Sequence, residues 1–457
     1  MATVQTATEQ RVIFDADYME QINEQVNDEF DAGYLRVPEE RRRLRRYIEF
    51  EMLATFALLG HLPNELRFHD RGKMAEFAHE NVQAAVQLEK RNHEHPRGKT
   101  ETVDKKVFST FATLLDHPET MAELYGNVFR VLCRQQIAAY EKHCAESDEY
   151  FNRPTSKLLE QLIPVKRRQL QWGEQKYEAM LANLSSEECE TVASRVAAFA
   201  QFLKSMGSVD GTESGKKPRI QKGSLEPIPE DIKAEPAFKF DDGYLSPEET
   251  KHWREQFPEW PDETHAMLYA YCTEFTVIDQ FALITYRAPR DMPLEFFYDC
   301  TRQTWDEHRH TSMGHRAMRR LGYDPSKLLL PYRWRAWRQM TVEENYAFIT
   351  QTGEACSLAP KHLNRKELIK RKWFHEQTLI EWDISDESQH VRYGGKWTPV
   401  LLERMGYKGR LKKFVMNATD KFNWLQYQAR KEAGVLLPDD EEPKPYEGCD
   451  VSSTFSA

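Results

Sequence analysis

Apolar residues recur every three to four positions along most of the chain, and strand-like alternation is scarce. In the C-terminal half this period predicts helices at about 262–287, 292–321, 341–358 and 364–398, with another near 409–432. The N-terminal half gives about 40–60, 70–93, 119–146 and 156–183, with another near 187–206. Four long helices with modest connections in each half indicate an all-α protein built from bundles with extra flanking helices.

The two halves share more than a helix count. Asp31-Ala-Gly-Tyr-Leu35 recurs as Asp241-Asp-Gly-Tyr-Leu245, and each copy is followed by Pro-Glu-Glu, at Pro38–Glu40 and Pro247–Glu249. Glu49-Phe50 and Phe56-Ala57-Leu58 reappear at a constant offset as Glu274-Phe275 and Phe281-Ala282-Leu283. The reading is two tandem copies of one unit, each of about 200 residues. Residues 1–206 form the first, 207–236 a linker rich in Gly, Ser, Pro and charge, and 237–437 the second. The tail 438–457 has the composition of a poorly ordered segment.

Composition narrows the class. The 457 residues are 40% hydrophobic and 30% charged, as in an ordinary soluble globular protein. No run approaches the roughly 20 apolar residues of a membrane span, and the polar N-terminus does not resemble a signal peptide. The seven cysteines show no C-x-x-C pair, so a disulfide framework is not expected and a cytoplasmic location fits. A net charge of −10 argues against an extended nucleic-acid surface, leaving only the short basic stretches His362–Lys372 and Tyr407–Lys413.

The chemistry is concentrated in the second copy. Glu307-His-Arg-His310 and Glu387-Ser-Gln-His390 are both Glu-x-x-His, a spacing that places the two side chains on one helix face. Glu274 stands 33 residues before Glu307, and Glu354 stands 33 residues before Glu387. Each Glu-x-x-His is preceded by an aspartate, Asp306 or Asp386, and each histidine is followed four residues later by a glycine, Gly314 or Gly394.

These residues resemble the ligand set of the ferritin-like di-iron carboxylate proteins, in which two helices each give one Glu and two others each give a Glu-x-x-His. The resemblance covers about 262–398 and implies two tandem ferritin-like four-helix bundles. It assigns Glu274, Glu307 and His310 mainly to one metal, and Glu354, Glu387 and His390 mainly to the other, with Glu307 and Glu387 as bridges. Asp306 and Asp386 would each accept the outer N–H of a metal-bound histidine. Two iron ions are the expected cofactor, with Mn/Fe and Mn/Mn pairs as the other candidates.

In the first copy the matching positions are Glu49, Glu76, His79, Glu141, Glu174 and Tyr177. There Tyr177 replaces a histidine, Ala75 and Gly173 replace the aspartates, and Gln83 and Leu181 replace the glycines. This site is therefore expected to be degenerate. The implied activity is an oxygen-activating oxidoreductase (hydroxylase, N-oxygenase or desaturase type) using molecular oxygen, an organic small-molecule substrate and an electron-donor protein. The alternative is an iron-handling or peroxide-reducing protein without organic substrate. Of the remaining residues, His308, His315 and His362 read as surface or capping groups. Cys272, Cys356, Trp305 and Trp382 read as core, and the Tyr332–Arg338 stretch as interdomain packing.

Overall fold

The computed structural model describes residues 35–96, 105–148, 150–235, 239–241, 271–320 except 273, and 333–434, with single positions or short pieces between 322 and 331 and at 436 and 441–446. The predicted helix start at 262–270, most of both copies of the Asp-x-Gly-Tyr-Leu repeat, the 1–10 terminus and most of the 438–457 tail lie outside these residues.

The described chain is almost entirely helical. In the first half, α1 (Val37–His61) and α2 (Phe68–His93) are joined by a 3-10 turn, and α3 (Lys105–Asp116) follows. Next come α4, composed of Met121–Tyr125, a π-helical stretch Gly126–Cys133 and Arg134–Ala145, then α5 (Arg153–Leu181) and α6 (Ser186–Ser205). The second half repeats the order with α7 (Phe275–Arg287), α8 (Leu294–Arg320) and the short α9 (Trp334–Gln339). It continues with α10, composed of Val342–Phe348, a π-helical stretch Ile349–Gly353 and Glu354–Arg371, then α11 (Phe374–Arg404) and α12 (Leu411–Ala433). The expected helices are present, with α10 running through Pro360 to Arg371 rather than ending at 358. Helix α3 was not expected. Two three-residue strands, Lys239–Asp241 and Leu329–Pro331, pair in parallel.

Local chemistry explains several ends. Ser185 and Thr341 each form a capping box, at the starts of α6 and α10, with Glu188 and Glu344. Helix α12 stops at Gly434, whose φ of 71° suits a residue without a side chain.

The halves are not separate beads. Helices α1 and α2 pack on each other and against α7 and α8, with α1 meeting α7 and α2 meeting α8. One apolar core therefore joins first-half residues such as Leu53 and Phe77 to Ile278 and Ala282, and another joins Met52, Phe56 and Val82 to Phe281 and Phe297. A buried ion pair, Arg71 Nη1 to Asp279 Oδ2 at 2.6 Å, crosses the same seam. The 207–236 linker is also docked. Its backbone N–H groups at Gly223, Leu225, Ile228 and Lys233 donate to Asp116, Pro118, Gly60 and Pro63, while its Leu225, Ile228 and Ile232 are buried. Trp334 ties the far end by donating its indole N–H to Pro229 and Glu230 carbonyls. Among the described residues, no helix is long and apolar enough to cross a membrane.

Candidate metal centre

Helices α7, α8, α10 and α11 bring all six predicted second-copy residues together. They form two groups whose donor atoms lie close enough to share an ion: Glu274, His310, Asp383 and Glu387, and then Glu307, Glu354 and His390. The grouping differs from the expected partition, because each Glu-x-x-His glutamate sits beside the histidine of the opposite helix. His390 Nδ1 is 3.4 Å from Glu307 and 3.2 Å from Glu354, whereas His310 Nδ1 is 3.4 Å from Glu274 and 3.6 Å from Asp383. Glu387 lies between the groups, with Oε1 3.8 Å from His310 and Oε2 3.8 Å from His390. Both histidines are fully buried and their rings are 6.0 Å apart.

The aspartates hold the outer edges of the rings. His310 Nε2 meets Asp386 at 3.4 Å and His390 Nε2 meets Asp306 at 3.3 Å, so each contact crosses between α8 and α11. An N–H on Nε2 held there leaves the Nδ1 lone pair facing inward. Arg302 and Arg309 clamp both aspartates from outside: Arg302 Nε is 2.7 Å from Asp306, Arg309 Nη1 is 3.0 Å from Asp386, and Arg309 also pairs with Asp306. Burial pushes the Asp306 carboxyl up, but His390 and Arg302 outweigh it and hold it well below the usual carboxylate range.

Two members were not foreseen. Asp383, four residues before Glu387 on α11, joins the Glu274 group. Lys361, on α10, places its ammonium 2.8 Å from Asp383 and 2.9 Å from Glu387. Both positions carried a usable signal: four and seven residues return to the same helix face, so Asp383 lies in register with Glu387 and Lys361 with Glu354.

Five carboxylates in a buried cluster repel one another. Burial raises Glu307 to about 8 and Glu354 to about 7, and it also raises Glu274. Burial would lower the two imidazoles, but the surrounding carboxylates raise both well above the ordinary histidine value. Glu387 alone is lowered: burial opposes this, and the Lys361 and histidine charges prevail. Buried oxygens of Glu274, Glu307, Glu354 and Glu387, and His310 Nδ1, are left without a hydrogen bond. Unsatisfied inward oxygens and an imidazole nitrogen are a donor set for a divalent cation, so the residues present fit a metal.

The two glycines serve packing. A Cβ at Gly314 would stand 2.5 Å from the Tyr271 Cβ, and one at Gly394 would stand 2.2 Å from Thr350 Oγ1. The π-helical stretch Ile349–Gly353 ends where Glu354 begins, a placement typical of functional sites.

The six first-copy residues do not converge. Glu76 pairs with Lys73, Glu141 with Arg167 and Glu174 with Arg134. Glu49 is partly buried, His79 turns to Thr301 of α8 at 3.1 Å, and Tyr177 packs under Arg130. None joins a metal-sized group among the described residues. The buried polar centre of this half is instead Glu51, which ion-pairs with Lys166 and accepts from Tyr140 Oη at 2.7 Å, with Asn81 accepting from Lys166 at 2.7 Å. Several residues set aside also fall elsewhere. His315 is buried and His308 stacks on Phe68 at 4.5 Å, so neither is a surface group. Cys356 and Trp382 are exposed rather than core, whereas Cys272, Trp334 and Trp337 are buried as expected.

No characterised protein and no solved structure is significantly similar to the chain. Residues 189–437, more than half of its length and the whole of the site, match the family described as a protein of unknown function, DUF455. The chain thus belongs to the DUF455 family, and the clustered carboxylates and histidines of α7, α8, α10 and α11 lie within the family's own span.

Proposed function

We infer that the C-terminal half is a ferritin-like bundle holding a carboxylate-bridged dinuclear metal centre, with iron as the first choice. On this reading the protein is an oxygen-activating non-haem oxidoreductase acting on an organic small molecule. The observation that carries the reading is the pair of buried histidines, each turning Nδ1 toward carboxylates and Nε2 toward an outer aspartate. A core histidine satisfied for packing alone would not need the four acidic neighbours that each of these has. When bound, a pair of iron ions supplies redox chemistry toward molecular oxygen, with electrons from a donor protein.

The chain's own residues prepare that site. Asp386 and Asp306 hold the Nε2 protons outward, fixing ring orientation, and Arg302 and Arg309 in turn pair with those aspartates from outside. Glu387 has one oxygen 3.8 Å from each histidine and would be a carboxylate shared by the two ions. The packed helices keep the histidines from water, with His310 and His390 0% exposed and Glu307 and Glu387 2% exposed, while the Glu274 side chain is 14% exposed at the edge of the site.

With metal in excess, the purified chain should bind about two ions, and Glu307→Ala or Glu387→Ala should abolish the pair. Anaerobic iron loading followed by oxygen should consume oxygen and change the optical spectrum. Unchanged metal content in both variants removes the centre. A loaded centre inert to oxygen removes the oxidoreductase and leaves iron handling.

A further inference from the structure

We propose that Lys361 is a resident cation of the centre, so that its two metal positions are unequal and fill in a fixed order. This rests on the dinuclear reading above. The Lys361 ammonium bonds to Asp383 Oδ1 at 2.8 Å and Glu387 Oε1 at 2.9 Å and lies 3.8 Å from Glu274 Oε1. Those three carboxylates are the ones that form a metal-sized group with His310. The lysine side chain is only 10% exposed, so this is not a solvated surface pair. The other group differs: among the described residues, Glu307 and Glu354 have His390 as their ion-pair partner and no ammonium or guanidinium.

The first half shows that an ammonium can complete such a core. There Lys166 pairs with Glu51 and bonds to Asn81 and Gln169, and the bundle centre has no metal-sized group among the described residues. The second half is intermediate, with a lysine on one side and acceptors lacking one on the other.

The order follows from charge. An ion entering Glu307, Glu354 and His390 has no directly bonded ammonium to displace. An ion entering Glu274, His310, Asp383 and Glu387 must displace the ammonium from two bonds and share its carboxylates, and like charges a few ångströms apart in a buried site repel strongly. The flexible four-carbon stem of lysine allows withdrawal, and the ammonium already lies 6.0 Å from the centre of the Tyr271 ring. The Glu307 position therefore fills first, and the Glu274 position fills only as Lys361 moves aside.

Equilibrium dialysis of the full chain with manganese(II), with EPR of the bound ion, tests the order. The first ion should bind at least about tenfold more tightly than the second and give an uncoupled signal at one equivalent. Lys361→Met should shrink the gap by tightening the second step. Two equal steps in the wild type, or an unchanged gap in Lys361→Met, overturn the proposal. Should Lys361→Met fail to fold, Glu354→Gln decides, because it should remove the tighter step; loss of the weaker step instead overturns the order. Absence of any manganese binding by the wild type defeats the metal centre itself, a different failure from two equal steps.

Discussion

Each histidine of the centre is held by an aspartate from the opposite helix, so orientation of the two rings depends on α8 and α11 together. Asp306→Asn or Asp386→Asn should keep the fold and weaken metal binding by roughly 10–100-fold, read by competition with a chelator. Wild-type affinity in both would mean the aspartates serve only the Arg302 and Arg309 pairs. The carboxylates add a pH dependence whose sign is fixed. Glu307 and Glu354 are raised from 4.5 to about 8 and about 7, so the metal-free fold draws stability from their protonated forms. That contribution is complete below the ordinary carboxylate value and is lost as pH rises through 7 to 8. Glu387, being lowered, contributes its part above 4.5 and does not change across this window. Metal needs the deprotonated forms, so the thermal shift on adding manganese(II) should widen from about pH 5 to about pH 8. A shift that narrows over that interval would contradict the protonated state. At this scale the sequence spoke clearly where a motif was doubled: two Glu-x-x-His pairs with equal spacing to an upstream glutamate located six members. Asp383 and Lys361 had no counterpart to single them out, although both sit in register with residues already identified. A lysine among carboxylates reads as an ordinary helix charge until the opposing helix is in place.

Elements explain why the first copy was misplaced. The shared Glu-Phe dipeptide matched Glu49 to Glu274, whereas the α1 glutamate that pairs with Lys166 in the buried centre of this half is Glu51. Two residues turn a helix by about 200°, so that slip moved the assignment to the opposite face. The same two-residue slip separates His79 from Asn81 on α2. A repeat read from identities alone cannot register its faces; the apolar period can, because Phe50, Leu53, Ala54 and Ala57 mark the buried side. The order of the long helices was legible, apart from the shorter α3 and α9, and the π-helical stretches in α4 and α10 were not, since a widened turn leaves the apolar spacing nearly unchanged. The paired first-copy carboxylates have surface partners, so Glu76→Ala with Glu174→Ala should leave metal content unaltered by elemental analysis. Loss of metal there would show that the first half reaches the centre. Close packing makes the opposite forecast for Gly314. A methyl group 2.5 Å from the Tyr271 Cβ meets the root of a side chain, so the backbones must separate. Gly314→Ala should cost about 1–3 kcal/mol in chemical denaturation.

On the scale of the molecule, the seam between halves is a stabilising element in its own right. Arg71 and Asp279 are almost completely buried there, and Phe275 lies under the guanidinium at 5.2 Å. Removing one partner leaves an uncompensated charge, so Arg71→Ala should destabilise the chain by about 3–5 kcal/mol. If the halves unfolded independently, that loss would appear in only one of two transitions; a shared core calls for a single displaced transition. The sequence divided the chain at 207–236 because that segment lacks an apolar period. Its anchoring is a matter of backbone hydrogen bonds and four scattered apolar residues, Val209, Leu225, Ile228 and Ile232, which no periodicity registers.

The way α1 meets α7 and α2 meets α8 has a historical meaning. Equivalent helices facing one another is the contact of a two-fold homodimer, in which one patch serves both subunits. If the halves are tandem copies, as the repeated sequence suggests, the two subunits of such a dimer are written in one polypeptide. In a true homodimer any substitution falls on both copies at once, so neither can surrender its histidines without the other losing them. Joining two such copies would end that constraint: one partner could trade ligands for a lysine core while still supplying the interface its twin needs. Two fragments divided in the exposed part of the strap near Glu213–Lys217 should accordingly reassemble into one particle when produced together.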